Sequence, residues 1–145
     1  MTTVPGGPRV ARLRRFFVTL TRESVQELRT LYAPEAEFKD PFNDVRGVEK
    51  IERIFTHMFD QVDGPRFMIE DALADGSQAF LTWVFHFRRR GSREAMTIRG
   101  STHVRFDAAG RVVLHRDYWD AAEELYEKLP LLGTLMRWLR RRAAA

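Results

Sequence analysis

The sequence predicts an α+β domain on three observations. Up to Val62 the apolar side chains recur at helical spacing, and from Pro65 they follow the two-residue period of strands. The strand-like runs are separated by short turn signals, Asp75-Gly76, "RRGSR" and "DAAGR". Helices grouped ahead of hairpin-linked strands imply an antiparallel sheet with the helices on one face. A bent sheet covered in this way leaves a conical hollow, where pockets form.

The elements follow in order. After a Pro/Gly leader, "RVARLRRFFVTL" puts Val10, Leu13, Phe17 and Leu20 on one helical face with arginines between them. "SVQEL" offers Ser24 with Glu27 three residues on, a capping-box pattern, ahead of Val25, Leu28, Leu31 and Tyr32 on a second helix ending near Pro34. "AEFKD" is short and extended, and Pro41 biases Asp40 away from helix. A third helix, "VEKIERIFTHMFDQV", buries Val48, Ile51, Phe55, Met58, Phe59 and Val62. Four strands follow: "RFMIEDALA", "AFLTWVFHF", "EAMTIRGSTHVRF", where Gly100 suggests a bulge or bend, and "VVLHRDYW". Asp120 with Glu123 caps a last helical segment, which Pro130 interrupts before "LLGTLMRWLRRR".

Composition narrows the function classes. The chain has 145 residues, 44% hydrophobic and 30% charged, and no apolar run approaches the roughly 20 residues needed to cross a bilayer. No secretory leader is recognisable, so a cytoplasmic location is expected. Cysteine is absent, which removes disulfides and thiolate chemistry, and the four histidines lack metal-site spacing, so neither metal nor cofactor is expected. The net charge of +4 comes from Arg9, Arg12, Arg14 and Arg15 at one end and Arg137, Arg140, Arg141 and Arg142 at the other. The remainder carries more acid than base, so no basic stripe marks a nucleic-acid partner.

The order of elements, with "LYAPEAEFKDPF", "RGVEKIERIF", "VRFDAAGRV" and "DYWD", resembles the ketosteroid isomerase-like and SnoaL-like group of the nuclear transport factor 2 (NTF2-like) superfamily. The resemblance implies a cone-shaped NTF2-like domain over residues 9–120, preceded by a flexible leader at 1–8 and followed by a helical extension at 121–145. It also implies a homodimer through the outer sheet face and a pocket for a small hydrophobic, steroid- or polyketide-like molecule. Fold does not fix function in such a superfamily, which includes isomerases, cyclases, dehydratases, epoxide hydrolases and proteins without chemistry.

Asp40 falls where the isomerases keep their general base, while Phe16 and Thr102 stand where those enzymes keep two strong oxyanion donors. With Thr102 inward, strand parity and the resemblance turn Thr82 and His86, then His115, Asp117 and Trp119, into the hollow beside Phe16, Leu20 and Phe55. The opposite parity on the second strand, Trp83, Phe85 and Phe87, is then left for the dimer. Asp40, His115 and Asp117 are the expected catalytic groups, and Phe16, Leu20, Phe55, Thr82, His86, Thr102 and Trp119 the expected substrate contacts. The implied activity is a cofactor-independent isomerase or dehydratase working by proton transfer. The alternative is a non-catalytic binding module. Each candidate also has a plainer reading: Asp40 as a turn acid, His86 and His115 as satisfied sheet histidines, Asp117 as an ion-pair partner and Thr102 as a strand residue. The tail, with Leu131, Leu132, Leu135, Met136, Trp138 and Leu139 beside Arg140 to Arg142, reads first as a helix packed across its own domain, and second as an interfacial helix on anionic lipid.

Overall fold

A computed structural model describes residues 7–125 and 130–144, without the side chains of 130–132 and 136. The expectations for residues 1–6 and for the side chains of Leu131, Leu132 and Met136 therefore lie outside the described residues. Helix α1 (Gly7–Val18) buries Val10, Leu13, Phe16 and Phe17 and leaves Arg12 and Arg15 exposed. Its arginines do structural work. Arg14 donates to the Ile69 carbonyl (2.9 Å), and Arg12 donates to the Gly110 carbonyl (3.3 Å).

The second helix is shorter than its pattern predicts. Residues Glu23–Glu27 form a 3-10 segment, followed by one α turn, α2 (Leu28–Leu31). Ser24 does not pair with Glu27. Instead Thr21 and Ser24 bond reciprocally, each backbone N–H to the other's hydroxyl (2.9 and 3.1 Å), moving the capping exchange three residues back. Tyr32 has already left the helix and opens strand β1 (Tyr32–Lys39). Pro34 lies inside that strand, where the pairing with its neighbour is interrupted between Tyr32 and Glu37, as a residue without an N–H requires.

After the turn at Asp40, β2 (Asp44–Arg46) pairs back on β1. Gly47, at φ 109, takes a conformation that favours glycine and starts α3 (Val48–Gln61), which buries Ile51 and Phe55. Strands β3 (Val62–Asp75), β4 (Gln78–Arg89), β5 (Ala95–Phe106) and β6 (Val112–Tyr118) form the meander. The six strands make one curved, open sheet in the order β2-β1-β6-β5-β4-β3, antiparallel except for the parallel β1–β6 pair. Asp120 caps α4 (Ala121–Glu124) by accepting from the backbone N–H groups of Ala122 and Glu123. Pro130 opens α5 (Pro130–Ala143), a position where its missing N–H costs nothing. On α5, Leu135, Trp138 and Leu139 stay about half exposed. Among the described residues, no helix is long and apolar enough to cross a membrane.

The β4–β5 register settles which face each strand presents. Leu81, Trp83 and Phe85 stand opposite Thr102, Gly100 and Ile98, and all share the concave, helix-covered side. Trp83, Phe85 and Phe87 are buried within the single chain rather than offered to a partner, which corrects their expected place at a dimer interface. Gly100 marks no bulge, since the β4–β5 pairing runs through it without interruption. Its role is space: a Cβ there would lie 2.5 Å from Trp83 Cζ2.

Candidate functional site

Strand β6 places His115 and Asp117 two residues apart on the concave face, and β5 sets Thr102 directly beside Asp117. These polar groups meet in a mostly apolar surround, so their hydrogen bonds can be followed atom by atom. The Trp83 indole N–H can only donate, and it donates to Thr102 Oγ1 (2.7 Å). The Thr102 hydroxyl proton is thereby directed to Asp117 Oδ1 (2.5 Å). The same carboxylate oxygen lies 2.8 Å from His115 Nε2, which as an N–H donates to it. The remaining ring nitrogen, Nδ1, lies 2.6 Å from the Tyr32 hydroxyl, which donates to it.

A carboxylate can only accept, so His115 Nε2 carries the hydrogen of its bond to Asp117, and both ring nitrogens are occupied by protein partners. Tyr32 is fully buried, and that burial holds its pKa well above the usual tyrosine value, with the Asp117 charge adding to the effect. It therefore remains a neutral O–H donor. Around His115 the rings of Phe38, Phe17 and Tyr32 lie at 4.8, 5.7 and 5.9 Å between centroids, and the imidazole is buried among them. Asp117 Oδ2 has no hydrogen-bond partner among the described residues and is left to the cavity.

Two spaces share Phe55, Phe67, Trp83 and Asp117 in their linings. An inner chamber of about 30 Å³, lined by Leu13, Phe17, Phe67, Leu81 and the polar trio of Thr102, His115 and Asp117, has room for about two water molecules. Outside it lies a vestibule of about 250 Å³ between α3 and the sheet, walled by Phe55, Phe67, Trp83, Phe85 and Trp119, with Asp40 and Asp117 among its lining groups. The ring of Phe42 packs edge-on against Trp119 at 5.5 Å.

The residues expected from sequence are distributed unevenly over this geometry. Thr102, His115 and Asp117 are brought together, and Phe55 and Trp119 line the vestibule. Asp40 also reaches the vestibule, but its Oδ1 accepts from the backbone N–H groups of Phe42 (2.8 Å) and Asn43 (2.7 Å) and from the Asn43 side chain (3.0 Å). Its carboxylate holds the turn. The Thr102 hydroxyl donates to Asp117.

Four expected contacts lie elsewhere. Phe16 is buried but turned one helical step away, lining a separate groove beside Leu31, and Phe17 takes its place at the cavity. Leu20 lies past the end of α1 and packs on the core without lining either space. Thr82 and His86 are on the convex face. Thr82 Oγ1 accepts from the Asp71 N–H (3.1 Å) beside the β3 irregularity, and His86 Nδ1 pairs with Thr97 Oγ1 (3.2 Å). Sequence reasoning missed Tyr32, assigned to a helix, and Trp83, assigned to the opposite face. Simple alternation in "LTWVFHF", with Leu81, Trp83, Phe85 and Phe87 as the large apolar set, was the available signal for Trp83. Among the described residues, no group of three or more side chains could hold a metal ion.

Comparison with known proteins agrees with this architecture. A family model described as a SnoaL-like domain matches residues 13–115, ending at His115 of the site. No curated protein matches the chain. Among solved structures, TsrD from Streptomyces laurentii is 20% identical with a TM-score of 0.71, covering 86% of this chain and 95% of its own. A steroid delta-isomerase from Pseudomonas aeruginosa is 23% identical with a TM-score of 0.61, covering 99% and 100%. A SnoaL-like polyketide cyclase, so described, from Jannaschia sp. CCS1 is 15% identical with a TM-score of 0.66, covering 79% and 87%. At these identities the structures share the fold alone, whereas the family model spans most of the sequence: the chain belongs to the SnoaL-like domain family and has the NTF2-like fold.

Proposed function

We propose that this protein binds a small, largely apolar molecule in the vestibule and moves a proton on it with Asp117. The observation that carries the reading is the state of that carboxylate: Oδ1 is held by Thr102 and His115, and Oδ2 has no hydrogen-bond partner among the described residues. A general base needs an acceptor within hydrogen-bond reach of the substrate and a fixed orientation, and this arrangement supplies both. Asp40, the base expected by resemblance, is tied into its own turn and is better placed to shape the vestibule rim.

The reaction class is proton transfer beside a carbonyl, or dehydration. The isomerase and cyclase named among the structural neighbours are compatible with that class. A vestibule of 250 Å³ lies below the usual 300–1,000 Å³ of small-molecule pockets, so its size favours a ligand of one or two rings over a four-ring steroid.

Deuterium exchange at carbon next to the carbonyl of small cyclic ketones and 1,3-dicarbonyl compounds, followed by proton NMR, tests this. The wild type is expected to exceed buffer, Asp117→Asn to lose about 10²–10⁴-fold, and Asp40→Asn to keep most of the rate. Exchange that survives Asp117→Asn, or a wild type no faster than buffer across the panel, would overturn the reading.

A further inference from the structure

The vestibule has a charge that its surroundings do not. The whole chain is basic, yet among the described residues lining the vestibule there is no Lys, Arg or His, and two carboxylates are present, Asp40 and Asp117. The neighbouring cations turn elsewhere. Lys39 and Arg116 alternate with Phe38 and His115 on β1 and β6 and so point to the convex side, where Arg116 lies over the Tyr118 ring at 4.7 Å. Both line an adjoining groove, which shares Asp40, Asp117 and Trp119 with the vestibule. From α1, Arg14 is held by the Ile69 carbonyl.

The walls are aromatic. Phe67, Phe85 and Phe87 stack in sequence at 4.5 and 5.0 Å, Trp83 meets Phe67 edge-on at 5.9 Å, and Trp119 stands beside Asp117 across the opening. With those ring faces stacked on one another, the charge of the cavity is set by its two carboxylates, which attract positive charge and repel anions.

We infer that the vestibule selects organic cations, and that the ligand of this protein carries a protonated or quaternary amine. This rests on the reading of the vestibule as the ligand site, and it narrows the substrate class to amine-bearing molecules whose apolar groups contact the aromatic wall.

Three ligands of nearly the same shape isolate the charge: choline, its neutral carbon isostere 3,3-dimethyl-1-butanol, and the anion 3,3-dimethylbutanoate. Binding is followed by proton NMR titration, with the Trp83 and Trp119 indole signals as reporters. Choline is expected to bind about tenfold or more tighter than the alcohol, as pairing a cation with a carboxylate in a water-poor cavity allows, with the carboxylate weakest. Asp117→Asn should remove most of that preference. Should that variant misfold, Asp40→Asn, which keeps the turn's shape, should lower it. Equal or tighter binding of the alcohol would overturn the charge inference while leaving a small-molecule site in place. Failure of all three to shift either indole would overturn both.

Discussion

Gly100→Ala tests whether the packing around the site has been read correctly. Gly100 does not have a positive φ, so alanine can adopt its backbone conformation, and chain entropy alone would make the change stabilising by about 0.4–1 kcal/mol. The structure predicts the opposite sign. The added methyl would lie 2.5 Å from Cζ2 and 2.6 Å from Cη2 of Trp83, and 3.0 Å from the Tyr118 carbonyl oxygen. The indole is buried, with Phe67 against it and its N–H committed to Thr102, so it has little room to retreat. Overpacking of this kind costs about 1–3 kcal/mol, and breaking the buried Trp83–Thr102 bond adds about 1–3 kcal/mol more. A net loss of about 2–5 kcal/mol is a large part of a typical domain's 5–15 kcal/mol. Urea unfolding of wild type, Gly100→Ala, Trp83→Phe and the double variant measures it. The smaller ring of Trp83→Phe should absorb the methyl, leaving a coupling of about 1–3 kcal/mol between the two sites. A Gly100→Ala protein as stable as wild type, or two substitutions that simply add, would refute the assignment of Trp83 to the concave face.

Tyr32→Phe leaves His115 Nδ1 buried without a donor, and a loss of about 1–3 kcal/mol is expected in the same unfolding assay. It should also change the response to alkali. Tyr32 ionises at about 10 when unfolded and well above that when folded, so its contribution is fully present below pH 10. As pH rises past 10 the unfolded chain releases the proton first, and stability falls by up to about 1.4 kcal/mol per pH unit. The variant should lack that part of the slope, and identical slopes would count against a neutral, buried Tyr32. On the convex face Met68, Phe80 and Tyr118 stand about half exposed, which supports the proposal of a homodimer through the outer sheet face. Sedimentation at micromolar concentration should give a dimer that Phe80→Lys dissociates, and a wild-type monomer would end that proposal.

How far the sequence could be read depended on the range of each signal. The periods that gave α1, α3 and the meander are local, and their elements are where the pattern puts them. The pairing of β1 with β6 joins residues about 80 positions apart and is parallel, and no local pattern reports it. Without that pairing, Tyr32 next to Leu31 looks like one more helical apolar residue. On β4 the signal was available but was outweighed: aligning by family likeness turned Thr82, Val84 and His86 inward, while the side chains themselves put the larger apolar set on the other parity. One residue of slip was enough to exchange the faces of the strand. The Phe16–Phe17 exchange is its helical counterpart, where one position is a rotation of about 100°. For Thr102, His115 and Asp117 the family likeness chose the inward face, and alternation within β5 and β6 then brought the three together.

The polar network also shows how the Asp117 carboxylate is ordered at the cavity where, among the described residues, no lysine or arginine is paired with it. Asp117 receives two of its hydrogen bonds on a single oxygen, and each of those donors is itself oriented by a second group, Thr102 by Trp83 and His115 by Tyr32. Fixing the donors in this way orders the acceptor without neutralising it, which preserves both the basic lone pairs of Oδ2 and the negative potential that the vestibule presents. A lysine or arginine in the same position would also hold the carboxylate, but it would weaken the base and cancel the field. The arrangement links packing to chemistry through few steps: the space left at Gly100 seats the Trp83 indole, the indole directs the Thr102 hydroxyl, and the hydroxyl helps to decide which oxygen of Asp117 faces the ligand. Gly100→Ala is therefore expected to impair Asp117-dependent exchange even where the protein remains folded, and a folded Gly100→Ala protein with the full wild-type rate would separate the packing from the chemistry.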